Sequence, residues 1–522
     1  KSENIPATQI DIQGFEFRGE QLPIQAGKIE MSYAAPGKII YKRYSRSRDG
    51  SSSIMFFDVE KREEKTIISN VGFYELSADH QKLLIQQGND YYIIDVRENQ
   101  RAEKPVPTRE LIATIEPREE WRQIFVDAWR LERDYFYDPG MHGVNWQEVR
   151  KTYEKLLDYA VTRWDVNFII GEMIAELNAS HTYRSGGDLE SPSYMNVGYL
   201  GVDYDVEGGY YKFKKIISGA PWDIEVKSPL QNSGVKEGEF LIAVNGIKPD
   251  ISKEPHAVFQ GLAEKVVVLT VNSNPTPDGS RDIIVKTLAS EDRLRYLNWV
   301  ESNRKLTEQL SDGLIGYIYV PDTSVNGQNE LVRQFYAQID KSGFIIDERF
   351  NSGGQIPDRF IELLNRPILN YWGVRDGKDW QWPPASCPGP KAMLINGWSG
   401  SGGDAFPFYF KKTGIGPVIG TRTWGGLIGM TGVPALIDNG SVTVPTFGIY
   451  STNGQWIIEG YGVDPDIEVV DDPGTMAKGR DPQLEKAIEV VLEKIRTSPI
   501  VQPQKPKYPD RSAKRKEPKE NR

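Results

Sequence analysis

The hydrophobic period changes repeatedly along the 522 residues, so this chain cannot fold around one core. From about Lys38 to Val96, short runs such as Ser53-Ile-Met-Phe-Phe-Asp-Val59 and Tyr91-Tyr-Ile-Ile-Asp-Val96 alternate apolar with polar residues. Asp-Gly, Ser-Asn and Gly-Asn-Asp turn signals separate them, which predicts antiparallel strands. Trp121, Ile124, Phe125, Ala128, Leu131 and Tyr135 then recur every three or four positions, the period of an amphipathic helix, and Pro139 with Gly140 stops it. Further helices are predicted over Trp146 to Tyr159 and Val166 to Leu177, the latter opened by Asp165. Strand patterning returns from 195 to about 288. From about Arg293 to Ile495, apolar runs such as Ile315-Gly-Tyr-Ile-Tyr-Val320, Gly343-Phe-Ile-Ile-Asp347 and Ala392-Met-Leu-Ile395 alternate with helical segments. That alternation predicts an α/β layer with a buried sheet. Beyond Ser498, a tail rich in Pro, Lys, Arg and Glu has almost nothing to bury and is expected to be disordered.

The expected division is a β-rich region over 1–116, a helical subdomain over 117–190, a second β domain over 191–290, an α/β domain over 291–497 and the tail over 498–522. The fold class is thus multidomain α+β. The spacing and Asp-Val endings of the first strands resemble β-propeller blades, too few to close a ring. A small open sheet and a propeller remnant both fit these residues.

Charge and composition narrow the function. Lys and Arg number 63 against 73 Asp and Glu, a net charge of −10 that lacks the basic field needed for phosphate backbones, so nucleic acid is not an expected partner. No run approaches the roughly 18 to 20 apolar residues of a membrane span. A single cysteine, Cys387, excludes an internal disulfide and any cysteine-rich metal site, and leaves the redox compartment open. The chain starts at Lys1 without methionine or an apolar leader, as a mature product or excised fragment does.

Ser228-Pro-Leu-Gln-Asn-Ser-Gly-Val-Lys-Glu-Gly-Glu-Phe-Leu-Ile-Ala-Val-Asn-Gly246 resembles the PDZ family. Ser233-Gly234, the Gly238 to Ile242 strand and the Asn245-Gly246 turn fill the family's places. PDZ domains add extended peptides at a sheet edge, so the resemblance implies a polypeptide ligand; a purely structural spacer is the alternative.

The stretch with most chemical content is Asn396-Gly-Trp-Ser-Gly-Ser-Gly-Gly-Asp-Ala-Phe406, between an apolar strand and a helix-compatible segment. Its glycines allow a serine to sit exposed on a tight turn with free backbone N–H groups. Neither Ser399 nor Ser401 fits the Gly-x-Ser-x-Gly elbow, and no Gly-Lys-Ser/Thr follows for a phosphate loop. Of four histidines, His80, His142, His181 and His256, His181 lies in Ala179-Ser-His-Thr182 at a predicted helix end.

These residues resemble the C-terminal processing peptidases, and more closely the tricorn-type serine peptidases with their Ser-x-Ser-x-Gly-Asp-x-Phe segment. The resemblance covers about 117 to 497, with complete N-terminal propellers lacking, and implies a crotonase-like α/β catalytic domain that hydrolyses peptide bonds. It implies Ser401 as nucleophile, His181 as general base, and Ser180 with Glu459 of Glu459-Gly-Tyr-Gly462 completing the relay. It further implies Gly402 and either Gly353 or Gly354 of Asp347-Glu-Arg-Phe-Asn-Ser-Gly-Gly354 as oxyanion donors. Many processing peptidases carry a lysine base in a Gly-x-x-Thr-Phe/Trp-Gly block; here Gly426 stands there, so a Ser-Lys dyad is excluded. Peptides or unfolded proteins are the implied substrates, with no metal or organic cofactor, a homo-oligomer as an option, and the cytoplasm as compartment by resemblance, the periplasm left open. A peptide-binding protein that has lost catalysis and an acyl-CoA enzyme of the crotonase type are the rival readings.

Overall fold

In the computed structural model, which describes residues 11–45, 51–223, 225–509 and 511, the alternating N-terminal segments pair as two antiparallel meanders. The first contains β1 (Ile29–Ala35), β2 (Lys38–Tyr44), β3 (Ser52–Asp58) and β4 (Glu63–Ser69), and the second β5 (Phe73–Leu76), β6 (Lys82–Gln87) and β7 (Asp90–Asp95). β1, an edge strand, precedes the predicted start at Lys38, although Ile29-Glu-Met-Ser-Tyr33 alternates apolar with polar residues and Tyr33 packs on the core. Ile40, Ile54, Phe56, Tyr74, Leu83 and Ile85 form this unit's core. The chain divides after Glu116, and the second compact unit is Pro117–Arg522.

The second unit opens with α1 (Pro117–Tyr135), α2 (Trp146–Glu154) and α3 (Arg163–Ala175). The three-and-four spacing of α1 buries Ile124, Phe125, Ala128 and Trp129 against Val166, Ile170 and Met173. Trp129 and Trp146 each donate their indole N–H to the other's backbone carbonyl, at 2.9 and 3.1 Å, which fixes α1 on α2. α3 starts at Arg163, ahead of the predicted Val166, because Thr162 caps it and Asp165 closes a reciprocal capping box from the third position.

Glu132, on α1, is fully buried, and neither carboxylate oxygen has a hydrogen-bond partner among the described residues. Burial pushes its carboxyl up to about 8. Between the unfolded carboxyl's ordinary value and about pH 8 the folded state alone keeps the proton, so stability falls as pH rises through that window. Glu132→Gln removes the effect. Melts at pH 5 and pH 8 should show the variant gaining on the wild type by on the order of 4 kcal/mol across the interval; parallel stability curves would refute this reading of the site.

After the two-residue β8 (Arg184–Ser185) comes a five-stranded antiparallel sheet. It consists of β9 (Val202–Glu207), β10 (Tyr210–Ile216), β11 (Phe240–Val244), β12 (Val266–Asn272) and β13 (Arg281–Lys286), ordered β13-β12-β11-β10-β9 around Phe213, Leu241, Phe259 and Leu269. β9 is an edge, but α4 (Asp292–Leu310) lies against its start: Arg295 donates to the Val202 carbonyl at 3.0 Å and pairs with Asp203 at 2.7 Å. Strand addition at this end requires Arg295 to leave.

The remaining chain forms a mixed α/β domain. Its sheet is wholly parallel, in the order β14 (Ile315–Tyr319), β15 (Gly343–Asp347), β18 (Lys391–Ile395), β19 (Val418–Gly420), β23 (Ile467–Glu468). Every residue of β14, β15 and β18 is buried, as helices on both faces demand. α5 (Val325–Ala337), α6 (Pro357–Leu364) and α7 (Gly402–Lys412) bring Phe335, Phe360, Phe406 and Phe410 to one core, while Val300 of α4 and Leu484, Ile488 and Val491 of α9 (Pro482–Thr497) join another. The short elements are β16 (Asn370–Trp372), β17 (Trp380–Trp382), β20 (Ile428–Met430), β21 (Ser441–Val442), β22 (Pro445–Gly448) and α8 (Pro473–Met476). Of the expected disordered tail, 510 and 512–522 lie outside the described residues; Lys505 pairs with Asp379 at 2.9 Å. Among the described residues no helix is long and apolar enough to cross a membrane.

Candidate active site

The turn from β18 into α7 places Ser401 at φ 58°, ψ −116°, a conformation side chains with a Cβ rarely adopt. Its N–H donates to Asp404 Oδ2 at 2.7 Å, so the turn is held from the first turn of the helix that follows. Ser399 differs in kind: it is fully buried and its hydroxyl donates to the Glu348 carbonyl at 2.9 Å. Only Ser401 of the two presents an oxygen to the cleft.

His181 approaches from the segment after α3. His142 holds that segment, with Nδ1 at 2.8 Å from the Leu177 carbonyl and Nε2 at 2.6 Å from the Tyr137 hydroxyl. The His181 Nε2 lies 3.2 Å from Ser401 Oγ, and its Nδ1 lies 2.9 Å from Ser180 Oγ. Glu459 receives three donors: Ser180 N–H on Oε1 at 2.8 Å, and the Ser180 hydroxyl at 2.9 Å and Leu427 N–H at 2.8 Å on Oε2. These partners dictate the proton positions. A hydroxyl that gives its hydrogen to a carboxylate can only accept from Nδ1, so Nδ1 carries the imidazole proton and Nε2 faces Ser401 as an acceptor. Burial lowers the pKa of His181, and the Glu459 charge opposes that shift.

Three glycines named by sequence meet beside Ser401. The Gly353 N–H is turned away, donating to Asn351 Oδ1 at 2.9 Å, whereas among the described residues the N–H groups of Gly354 and Gly402 have no such partner. A Cβ on Gly402 would come within 2.6 Å of the Gly354 nitrogen and 2.0 Å of Thr323 Oγ1, so these two backbones approach closely only without side chains. The residue-426 position is filled differently: a Cβ there would lie 2.0 Å from Trp424 Cζ3, and the Trp424 ring stands 5.9 Å from His181. The indole therefore lies where any side chain at position 426 would begin. A cleft of about 1180 Å³ runs from His181 and Ser401 between an apolar wall, including Ile428, Met430 and Phe447, and a rim bearing Asp358.

Sequence reasoning missed Asp404 and Trp424 as parts of this site. The Asp of Ser-x-Ser-x-Gly-Asp and the Trp of Thr-Trp-Gly were visible signals, but their partners are brought in only by the fold.

Models of known families match three parts of the chain: Tricorn protease C1 domain at 117–175, Tricorn protease PDZ domain at 198–290, and Peptidase family S41 at 314–469. Tricorn protease of Thermoplasma acidophilum is 30% identical over 518 residues, 97% of this chain and 48% of the relative. The chain belongs to the tricorn type of peptidase family S41. A tricorn protease homolog of Saccharolobus solfataricus is 31% identical over 505 residues, 93% of this chain and 46% of that relative. The crystal structure of the tricorn protease superposes with a TM-score of 0.80 at 28% identity, covering 91% of this tricorn-type chain and 47% of the solved one. The chain spans about half the length of these relatives.

Proposed function

We propose that this chain is a serine peptidase that hydrolyses polypeptides or oligopeptides through an acyl-enzyme on Ser401. The observation that carries the reading is the unbroken line from Ser401 Oγ through His181 and the Ser180 hydroxyl to Glu459. As Ser401 attacks the scissile carbonyl, its proton passes to His181 Nε2; the imidazolium so formed keeps its Nδ1–H bonded to Ser180, which Glu459 orients and polarises. The Gly402 and Gly354 N–H groups receive the oxyanion, Gly353 being engaged by Asn351. His181 then returns the proton to the leaving amine, and water repeats the sequence to release the acid. On the same family likeness we take the catalytic domain as crotonase-like, the N-terminal meanders as propeller blades and the compartment as the cytoplasm.

A fluorophosphonate probe followed by peptide mapping tests the assignment. Covalent label is expected on Ser401 and absent from the Ser401→Ala variant. Label on Ser399, or hydrolysis of casein that persists in Ser401→Ala, would sink it.

A further inference from the structure

We infer that Asp404 is a positioning residue, one that holds the nucleophile turn and the relay's acid in register. The inference rests on the Ser401 reading above. Asp404 is fully buried and has no ion-pair partner among the described residues; its carboxylate instead gathers donors from two directions. Oδ2 accepts the Ser401 N–H at 2.7 Å and the Gly426 N–H at 3.2 Å, while Oδ1 accepts the Gly425 N–H at 2.8 Å and the Thr423 hydroxyl.

The two directions lead to opposite ends of the relay. One is the strained Ser401 backbone, whose φ of 58° keeps Oγ facing His181 and which has this single side chain on its N–H. The other is the loop 423–426, which runs directly into Leu427, whose N–H donates to Glu459 Oε2 at 2.8 Å. The same loop also grips the acid's own segment, for Gly425 O accepts the Gly460 N–H at 2.8 Å and Thr423 Oγ1 accepts the Val463 N–H at 2.8 Å. Both the serine and the glutamate are therefore referred to one buried carboxylate.

An amide cannot take its place. Asn offers one accepting oxygen and one NH₂, so either the Ser401 and Gly426 donors or the Thr423 and Gly425 donors must face another donor. A mere cap on α7 would behave differently, since its loss would lower stability and leave each folded active site at full rate.

The test uses the full chain with Asp404→Asn and Thr423→Val, the latter loosening the loop while leaving the Ser401 contact intact. Folded active sites are titrated with a fluorophosphonate, its labelling rate per titrated site is measured, and kcat and KM are determined on dye-labelled casein. Asp404→Asn is expected to lower kcat and the labelling rate on the order of 100-fold with KM little changed. Thr423→Val should lower kcat roughly tenfold. A wild-type labelling rate per site in Asp404→Asn, with only a lower Tm, overturns the inference in favour of a helix cap. Should Asp404→Asn fail to fold, Thr423→Val decides: reduced kcat at constant KM supports the inference, and wild-type kcat overturns it. A wild-type chain that takes no label overturns the Ser401 reading itself, and this inference with it.

Discussion

His181→Ala is expected to lower turnover by about 10⁴-fold or more, the loss that follows removal of a base acting as one unit with its nucleophile. Among the described residues no lysine stands at the family's position: Gly426 lacks a side chain, and a Cβ there would lie 2.0 Å from the Trp424 ring. The pH profile supplies an independent check. His181 must be neutral to accept the serine proton, so kcat/KM rises as the imidazolium deprotonates, and burial sets that rise below the ordinary histidine value. Glu459→Gln removes the charge that opposes the shift, so the acid limb should move to still lower pH while turnover falls less than in His181→Ala. If His181→Ala hydrolyses casein at a rate near the wild type's, the base lies elsewhere.

Gly402→Ala should cost about 10²- to 10³-fold in kcat, the scale of an oxyanion donor lost. The added methyl keeps the N–H but meets the Gly354 oxygen at 2.5 Å, its nitrogen at 2.6 Å and Thr323 Oγ1 at 2.0 Å. Two of these are backbone atoms, so the loop at Gly354 must back away and carry its N–H with it. Kinetics on folded variant, with folding checked by thermal melting, measures the effect; a kcat within tenfold of wild type would show that the two amides do not act together.

Local periodicity carried much of the fold. The α1 pattern ends at Tyr135 as its spacing predicts, and the apolar runs of β14, β15 and β18 are fully buried strands. The start of α3 was misjudged because a capping box places its acidic residue inside the helix, so Asp165 marks the third position and Thr162 the boundary. In the site, Ser180, His181, Ser401 and Glu459 were legible as motifs, and the fold brings them within hydrogen-bonding distance. The motif left Gly353 and Gly354 equivalent; what distinguishes their N–H groups is the side chain of Asn351, which engages that of Gly353. Asp404 stayed hidden for a similar reason: a carboxylate inside a glycine turn reads as a cap until the loop at Thr423 to Gly426 closes over it.

Ser180 and Glu459 are separated by 279 positions, and His181 and Ser401 by 220, yet the first pair meets through two hydrogen bonds and the second through one. His181 arrives from the helical subdomain and Ser401 from the parallel sheet, so contacts of long range, slow to form because their loop closure comes first, complete the proposed site. A nascent or partly unfolded chain can thus hold a finished Ser401 turn and still have no base to activate it. Under the proposed function, hydrolysis then waits until the segment after α3 has docked on the sheet, and an incompletely folded chain cleaves nothing.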